Sequence, residues 1–248
     1  MRLNFLGRGA GFNPAEGSTS AYFIDKNELF LIDAGESVFR ILLERKILDS
    51  VSGFNLFITH THSDHVGSLG SLILYACMVK KLTVNIIIDQ NMSYLSHIRT
   101  LLGIYGLTEN MYRFTDSRKL DGSYTCFDKV RYIKTRHCNE LDTCGILFET
   151  TDGLVFYSGD IRDPAPILDI IGSGRRINKI FIDSNSDREP NIHHISIHLL
   201  NDIIPAEVKP KVYCMHINNN RCIEEALSYG FSVVSAEHSS GDTDHTTR

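Results

Sequence analysis

No stretch of the chain is apolar for long enough to suggest a membrane span. The longest apolar runs, LTVNIII at 82–88 and SLILYACMV at 71–79, fall far short of the ~20 residues that crossing a bilayer takes. The opening MRLNFLGRGAGF lacks the apolar core of a secretion signal and reads as a strand followed by a glycine turn. The expected location is the cytoplasm. There is no CxxC pair among the six cysteines, Cys77, Cys126, Cys138, Cys144, Cys214 and Cys222. In a cytosolic chain these are expected to be reduced core thiols, with a zinc-ligand role for Cys138 as the alternative reading. Basic residues are not in excess: 25 Lys and Arg stand against 30 Asp and Glu, for a formal net charge of −5. A broad footprint for long nucleic acid is therefore not expected. The local basic clusters at 175–179 and 209–211, and Arg131, Lys134 and Arg136, read as solvated surface. No long linker divides the 248 residues. One domain is expected over 1–235, followed by a polar, aliphatic-poor tail, 236–248, expected to be disordered.

What is present is a strand-rich alternation. RLNFLG, SAYFID and ELFLIDAG read as strands, with a glycine-rich loop between the first two. SVFRILLERKIL has apolar residues at helical spacing, FNLFITH is a buried strand, and VGSLGSLILYACMVKK is a helix. LTVNIIID (strand) and NMSYLSHIRTLLGIYG (helix) follow. SYTCFD, VRYIKTRH, GILFETT and LVFYSGD then read as a meander with TDG as a hairpin turn. PAPILDIIG, HISIHLLNDII and RCIEEALSYG are helices, interleaved with the strands KIFIDSN, KVYCMHI and FSVVS. The strand-then-strand-helix block occurs twice. This order predicts an α/β fold with two β-rich layers facing each other and helices outside.

His60, Asp160, Asp183, His137 and His216 all stand at predicted strand ends, and strand ends at one sheet edge are where loops converge into a site. The densest cluster is THTHSDH, residues 59–65. His60 and His62, at i and i+2 on an extended segment, point to one side. Asp64 and His65 come on the turn into a helix and point elsewhere, so the cluster offers two half-sites for two ions. His137 can complete the first. Asp160 can bridge both, and His216 can complete the second. The expected sets are His60, His62, His137 and Asp160 for one ion, and Asp64, His65, Asp160 and His216 for the other. Nitrogen and oxygen ligands of this kind suit two divalent ions, zinc first, with manganese or iron as alternatives.

THTHSDHVGSL followed by RH, YSGD and MHI, in that order, resembles the metallo-β-lactamase superfamily of dinuclear hydrolases. The resemblance implies an αββα four-layer sandwich with the metals at one edge. FLGRGAGFNPAEGSTSAYF resembles the opening of the tRNase Z-like and cyclic-phosphodiesterase branch. That branch carries a further histidine between the bridging aspartate and the last histidine ligand. NIHHISIHLL supplies His194, with Ser196 two positions on, and His193 as the alternative; a bland reading makes Ser196 a helix cap. The branch also places an acidic residue, here Asp183, where it can orient that histidine. Asp64 and His194 are the implied catalytic groups.

The tRNase Z arm, long and rich in glycine and proline, has no counterpart: 22 residues separate His137 from Asp160. Compact members without the arm include the phage-associated anti-Pycsar enzymes, which this chain resembles in size, opening, metal set and HHIS segment. That resemblance implies a phosphodiesterase opening cyclic CMP, UMP, AMP or GMP to the monophosphate, a homodimer, and a role against a bacterial antiphage signal. In it GIYGLTENMYRF, 103–114, is read as a lid or interface, with Tyr105, Tyr112 or Phe114 as a base-stacking ring. Alternatives are a tRNase Z-like RNA endonuclease, another small cyclic-phosphate phosphodiesterase, and a non-catalytic metal protein that sequesters its ligand.

Overall fold

The chain builds the same sheet twice. The computed structural model of the protein describes residues 1–89, 92, 94–188 and 193–236. The first sheet holds β1 (Asn4–Gly7), β2 (Ser20–Asp25), β3 (Glu28–Ile32), β4 (Gly53–Phe57), β5 (Val84–Ile88) and β6 (Tyr112–Asp116), in sequence order. The second holds β7 (Lys129–Thr135), β8 (Thr143–Thr150), β9 (Gly153–Tyr157), β10 (Ile177–Asp183), β11 (Val212–Met215) and β12 (Ser232–Val233), again in sequence order. In each sheet the first three strands pair antiparallel and the last four run parallel. Parallel neighbours need a crossover between them. The crossovers are α1 (Val38–Glu44), α2 (Ser63–Val66) with α3 (Leu69–Met78), and α4 (Leu95–Ile104) in the first half. In the second they are α5 (Ala165–Gly172), α6 (Ile197–Ile203) and α7 (Asn220–Ser228).

The sheets face each other across an aromatic core. Phe57 of β4 meets Phe148 of β8 edge-on at 5.6 Å, and Phe23 of β2 meets the same ring at 5.8 Å. Phe5 of β1 packs against Phe181 of β10 at 5.4 Å. The outer faces are covered by helices: Ile167, Leu200, Cys222 and Ala226 from α5–α7 share a second buried cluster with Phe156 and Ile180. This is the expected αββα sandwich. Interior strands such as β4 are buried almost end to end, as parallel strands covered on both faces should be.

Several sequence expectations change here. SYTCFD, read as a strand, is a turn-rich connection, and the strand that completes the first sheet is β6. The β-like composition of residues 123–128 is outweighed by a tertiary cap: the buried Asp25 carboxylate accepts from Thr125 N (2.5 Å), Thr125 Oγ1 (2.5 Å) and Cys126 N (2.8 Å). β6 takes in Tyr112 and Phe114, which fall in the segment expected as a lid or interface. Tyr112 is buried, Phe114 lies under Arg99, 4.4 Å from the guanidinium, and Tyr105 packs where a side chain on Gly70 would stand. The predicted helix over 66–81 is two helices, α2 and α3, and α1 gives way to a 3-10 turn after Lys46 adopts φ 54°. All six cysteines are free thiols. No helix among the described residues is long and apolar enough to cross a membrane. Of the predicted tail, Ala236 pairs with Phe5, and residues 237–248 lie outside the described residues.

Burial pushes the Asp25 carboxyl up, but the hydrogen bonds from Thr125 and Cys126 outweigh it and hold the group below the usual range. Asp25→Ala strands those donors and is expected to cost about 1–3 kcal/mol in urea unfolding at pH 7. A depressed carboxylate stabilises above its unfolded pKa and loses that effect as pH falls through its folded value. The gap between wild type and variant should therefore close on acidification.

Candidate metal centre

β7 and β9 run in the same direction, as do β1 and β3, because each pair is related by two antiparallel steps. The carboxyl ends of β1, β3, β4, β7, β9, β10 and β11 therefore deliver their loops to one edge of the sandwich. β4 ends at Phe57, and His60 is buried two residues past Ile58. His62 is still extended (φ −66°, ψ 154°), and the single turn of α2 then turns Asp64 and His65 away from it.

The first set gathers around His62. Its Nδ1 lies 3.1 Å from His60 Nε2 and 3.3 Å from His137 Nε2. Asp160 Oδ2 stands 3.7 Å from His60 Nε2 and 3.6 Å from His137 Nε2. The second set uses the other oxygen of the same carboxylate. Asp160 Oδ1 is 3.2 Å from His65 Nε2 and 3.5 Å from His216 Nε2, and Asp64 Oδ2 is 3.5 Å and 3.2 Å from those two nitrogens. Within each set the ligand atoms all lie within 4.8 Å of one another. The structure thus brings together all seven residues that the sequence grouped, in the same two sets. Cys138 belongs to neither set among the described residues.

The remaining nitrogen of most of these imidazoles is held from behind. His65 Nδ1 is 2.8 Å from Asp33 Oδ2, and Asp33 also accepts from Thr59 N and Thr59 Oγ1, both at 2.8 Å. His60 Nδ1 is 3.1 Å from Thr59 Oγ1. His137 Nδ1 donates to the carbonyl of His193 at 2.6 Å, and His216 Nδ1 lies 3.3 Å from Asp183 Oδ1. Such partners fix which nitrogen faces inward. Asp33 was missed in the sequence. Its signal was LIDAG, a carboxylate closing an apolar strand as Asp160 and Asp183 do; it is fully buried with φ 62°. Of the two candidate histidines after Asp160, His194 is half-buried with Nδ1 2.8 Å from Asp183 Oδ2, whereas His193 is exposed and contributes its carbonyl. Asp183 also accepts from Ile161 N at 3.0 Å, and Ser196 caps α6 by accepting from His198 N.

The charge pattern fits cations. Burial pushes His60, His62 and His137 down, so they stand as neutral donors. Burial also opposes charge on His65 and His216, but the carboxylates around them prevail: Asp160 and Asp33 raise His65, and Asp160, Asp183 and Asp64 push His216 up to about 10. Asp64 is held far below the carboxylate range despite its burial, by its hydrogen bond with His216 and the nearby charge of His65. His65 Nε2 and Asp160 Oδ1 are buried, face each other and make no hydrogen bond. An orphaned imidazole nitrogen and carboxylate oxygen aimed at one point are what a cation between them would satisfy. Nitrogen and oxygen donors without sulfur suit zinc, manganese or iron.

Comparison with known proteins adds three findings. A family model described as anti-Pycsar protein Apyc1 matches residues 1–237. A 74-residue stretch, 29% of this chain, is 36% identical to Ribonuclease Z of Halobacterium salinarum, and it spans 23% of that protein's length. Among solved structures, the metallo-β-lactamase fold protein YhfI of Bacillus subtilis superposes with TM-score 0.69 at 14% identity, covering 93% of this chain and 94% of that one. The short form of human tRNase Z gives 0.64 at 15%, covering 96% of each chain. A diphosphatase of the PhnP family gives 0.63 at 16%, covering 94% of each. At these identities the superpositions establish the metallo-β-lactamase fold.

Asp33→Asn keeps the shape but weakens the hold on His65. By the usual effect of such outer partners, affinity for the ion of the second set should fall about 10–100-fold, measured by titrating chelator-stripped protein and counting bound metal. Unchanged binding of both ions would remove Asp33 from the site.

Proposed function

The chain belongs to the anti-Pycsar protein Apyc1 family, and from that membership, a metal-dependent hydrolase, we propose a phosphodiesterase that opens cyclic mononucleotides to nucleoside monophosphates in the cytoplasm. Two divalent cations, zinc first and manganese second, are proposed to be held by His60, His62, His137 and Asp160 and by Asp64, His65, Asp160 and His216. When bound they supply Lewis acidity, making water nucleophilic near neutral pH and offsetting phosphoryl charge. Asp64, ionised and at the mouth of the second set, orients the attacking water. The charge and hydrogen bond of Asp183 outweigh burial and push His194 toward its protonated form. His194 donates that proton toward the phosphoryl oxygen or the leaving alkoxide, and Asp183 keeps its ring in place.

The observation that carries the choice of a small substrate is the segment between His137 and Asp160. β8 and β9 form one hairpin that uses Thr143–Thr150 and Gly153–Tyr157, paired from Ile146↔Tyr157 to Thr150↔Gly153. No length remains for an arm that would grip an RNA. A cavity of about 400 Å³ lies beside the β4 end and is lined by none of the seven candidate ligands. It is lined by Tyr94, Tyr132, Lys134, Asp142 and Thr143, and Tyr94 donates to the Ile58 carbonyl two residues before His60. Its size falls within the ~300–1,000 Å³ usual for small-molecule sites. The local identity with Ribonuclease Z supports a rival RNA substrate, so the assay includes one.

A homodimer is proposed as the working assembly. Leu74, Met78 and Val79 around the end of α3, with Ile104 and Tyr105 at the end of α4, leave large apolar side chains exposed. The Tyr105 ring lies against Gly70 near the start of α3, which sets the end of α4 beside that helix. Such a patch, rather than single apolar residues, marks association. Sedimentation should give twice the 28.0 kDa chain mass, and Ile104→Glu should shift it toward the monomer.

Purified protein incubated with cyclic CMP, cyclic UMP, cyclic AMP, cyclic GMP and a pre-tRNA, with and without chelator, should yield linear monophosphates that disappear on chelation. Asp160→Ala should abolish turnover and lower bound metal. Cleavage of RNA alone, or full turnover and metal content in Asp160→Ala, would overturn the reading. Tight binding of a cyclic nucleotide by metal-loaded protein with no product would instead make the chain a sequestering protein.

A further inference from the structure

Resting on the dinuclear reading above, we propose that the loop Arg8–Gly17 is a clamp that positions the second half-site, with Asn13 as the positioning residue that holds His216. His216 has φ 56° and is buried. A left-handed conformation at a non-glycine residue persists only when its surroundings over-determine it. Here the surroundings are the loop from the opposite end of the chain. The Ile217 N–H donates to the Arg8 carbonyl at 2.7 Å. The Ile217 carbonyl accepts twice, from Ala10 N at 3.1 Å and from Asn13 Nδ2 at 2.9 Å. The two peptide groups on either side of Ile217, the residue after the last ligand, are thus both held by the loop.

The loop is itself braced. Gly9 N donates to Gly17 O at 2.8 Å, Asn13 N to Ala10 O at 2.8 Å, and Thr19 Oγ1 to Gly9 O at 2.9 Å. Arg8 Nε meets Glu16 Oε2 at 2.6 Å, and its Nη1 donates to the Val234 carbonyl at 2.9 Å. A side chain at Gly9 would stand 2.5 Å from the Asn13 carbonyl, so the turn that aims Asn13 requires glycine there. The loop also reaches the second set at another ligand: a Cβ on Gly11 would lie 3.0 Å from Asp64 Oδ2. It therefore bears on Asp64 and His216, two of the four side chains of that set. The first set is held by other means, through Thr59 and the His193 carbonyl.

The test uses Co²⁺ as a spectroscopic probe on chelator-stripped protein, following stoichiometry and the d–d bands of each ion as it fills. Wild type is expected to take two ions. Asn13→Ala, which removes one donor from Ile217, and Asn13→Asp, which sets a carboxylate against that carbonyl at equal size, should keep the ion of the first set. Both should weaken the other about 10–100-fold. Gly11→Ala, pressing on Asp64, should act on the same ion. Asp25→Ala, which loosens the fold far from this edge, should keep both ions at wild-type affinity and so separates positioning from general destabilisation. Folded Asn13 variants that bind both ions as wild type does, or that lose both in parallel, overturn the clamp. Wild-type protein that takes fewer than two ions overturns the dinuclear reading itself, and the clamp with it.

Discussion

The structure depends on the burial of one carboxylate. Asp160 is almost inaccessible and is met by His60 and His137 on one oxygen and His65 and His216 on the other. An ionised carboxylate in such a place is strongly unfavourable unless positive charge reaches it. Asp33 and Asp183 are buried close behind, each against one of the same imidazoles. Three buried carboxylates and the largely covered Asp64 exceed what the neighbouring histidines can balance without becoming charged themselves. Positive charge from His65 and His216, or from cations in their stead, is what allows the edge of the sandwich to exist in this form.

The rest of the fold explains how such charge is held at fixed geometry. Each contributing side chain follows the end of a strand whose body lies in a close-packed core of Phe23, Phe57, Phe148 and Tyr157. Displacement of one ligand would require a whole strand to slide, and register between parallel neighbours is fixed by burial on both faces. The twofold repetition of three antiparallel and three more parallel strands places two such sheets face to face, with their site-bearing strand ends at one common edge. Asp160 comes from the second sheet, and His60, His62, Asp64 and His65 from the first. Sandwich packing and the sharing of one carboxylate are therefore the same event.

Much of this was legible because the ligands are clustered or stand at strand ends. Four of the seven lie within 60–65, and the other three close strands that their apolar runs identify. The layers followed from alternating strands and helices. Asp33 escaped because a lone acidic residue after an apolar strand looks like ordinary punctuation; its role arises from His65, 32 positions on. The turn-rich 123–128 segment and strand β6 exchanged roles for a similar reason. Composition favours a strand at 123–128, but Asp25, 100 positions earlier, takes its backbone donors. Edge strand β6, five residues long and paired on one side, gives periodicity too little length to register. The link between the glycine loop and Ile217 spans 204 positions, and no local pattern announces it.

Charge also bears on the size of the substrate. A polynucleotide is gripped through many phosphates, each needing a basic partner along a track. This chain carries more acid than base. Of the basic residues next to the centre, Arg136 is the residue before His137 and Arg162 the second after Asp160. Their backbones are joined by a hydrogen bond from Arg162 N to Arg136 O at 2.7 Å. Arg162 also donates to Asn139 at 2.8 Å, and the Arg136 side chain stands out in solvent. Two guanidinium groups at the rim can attract one or two phosphates over a Debye length of roughly 8–10 Å, but they cannot order a long strand. With the hairpin β8–β9 taking most of the chain between His137 and Asp160, the charge available at this edge supports the small substrate proposed above over a long polynucleotide.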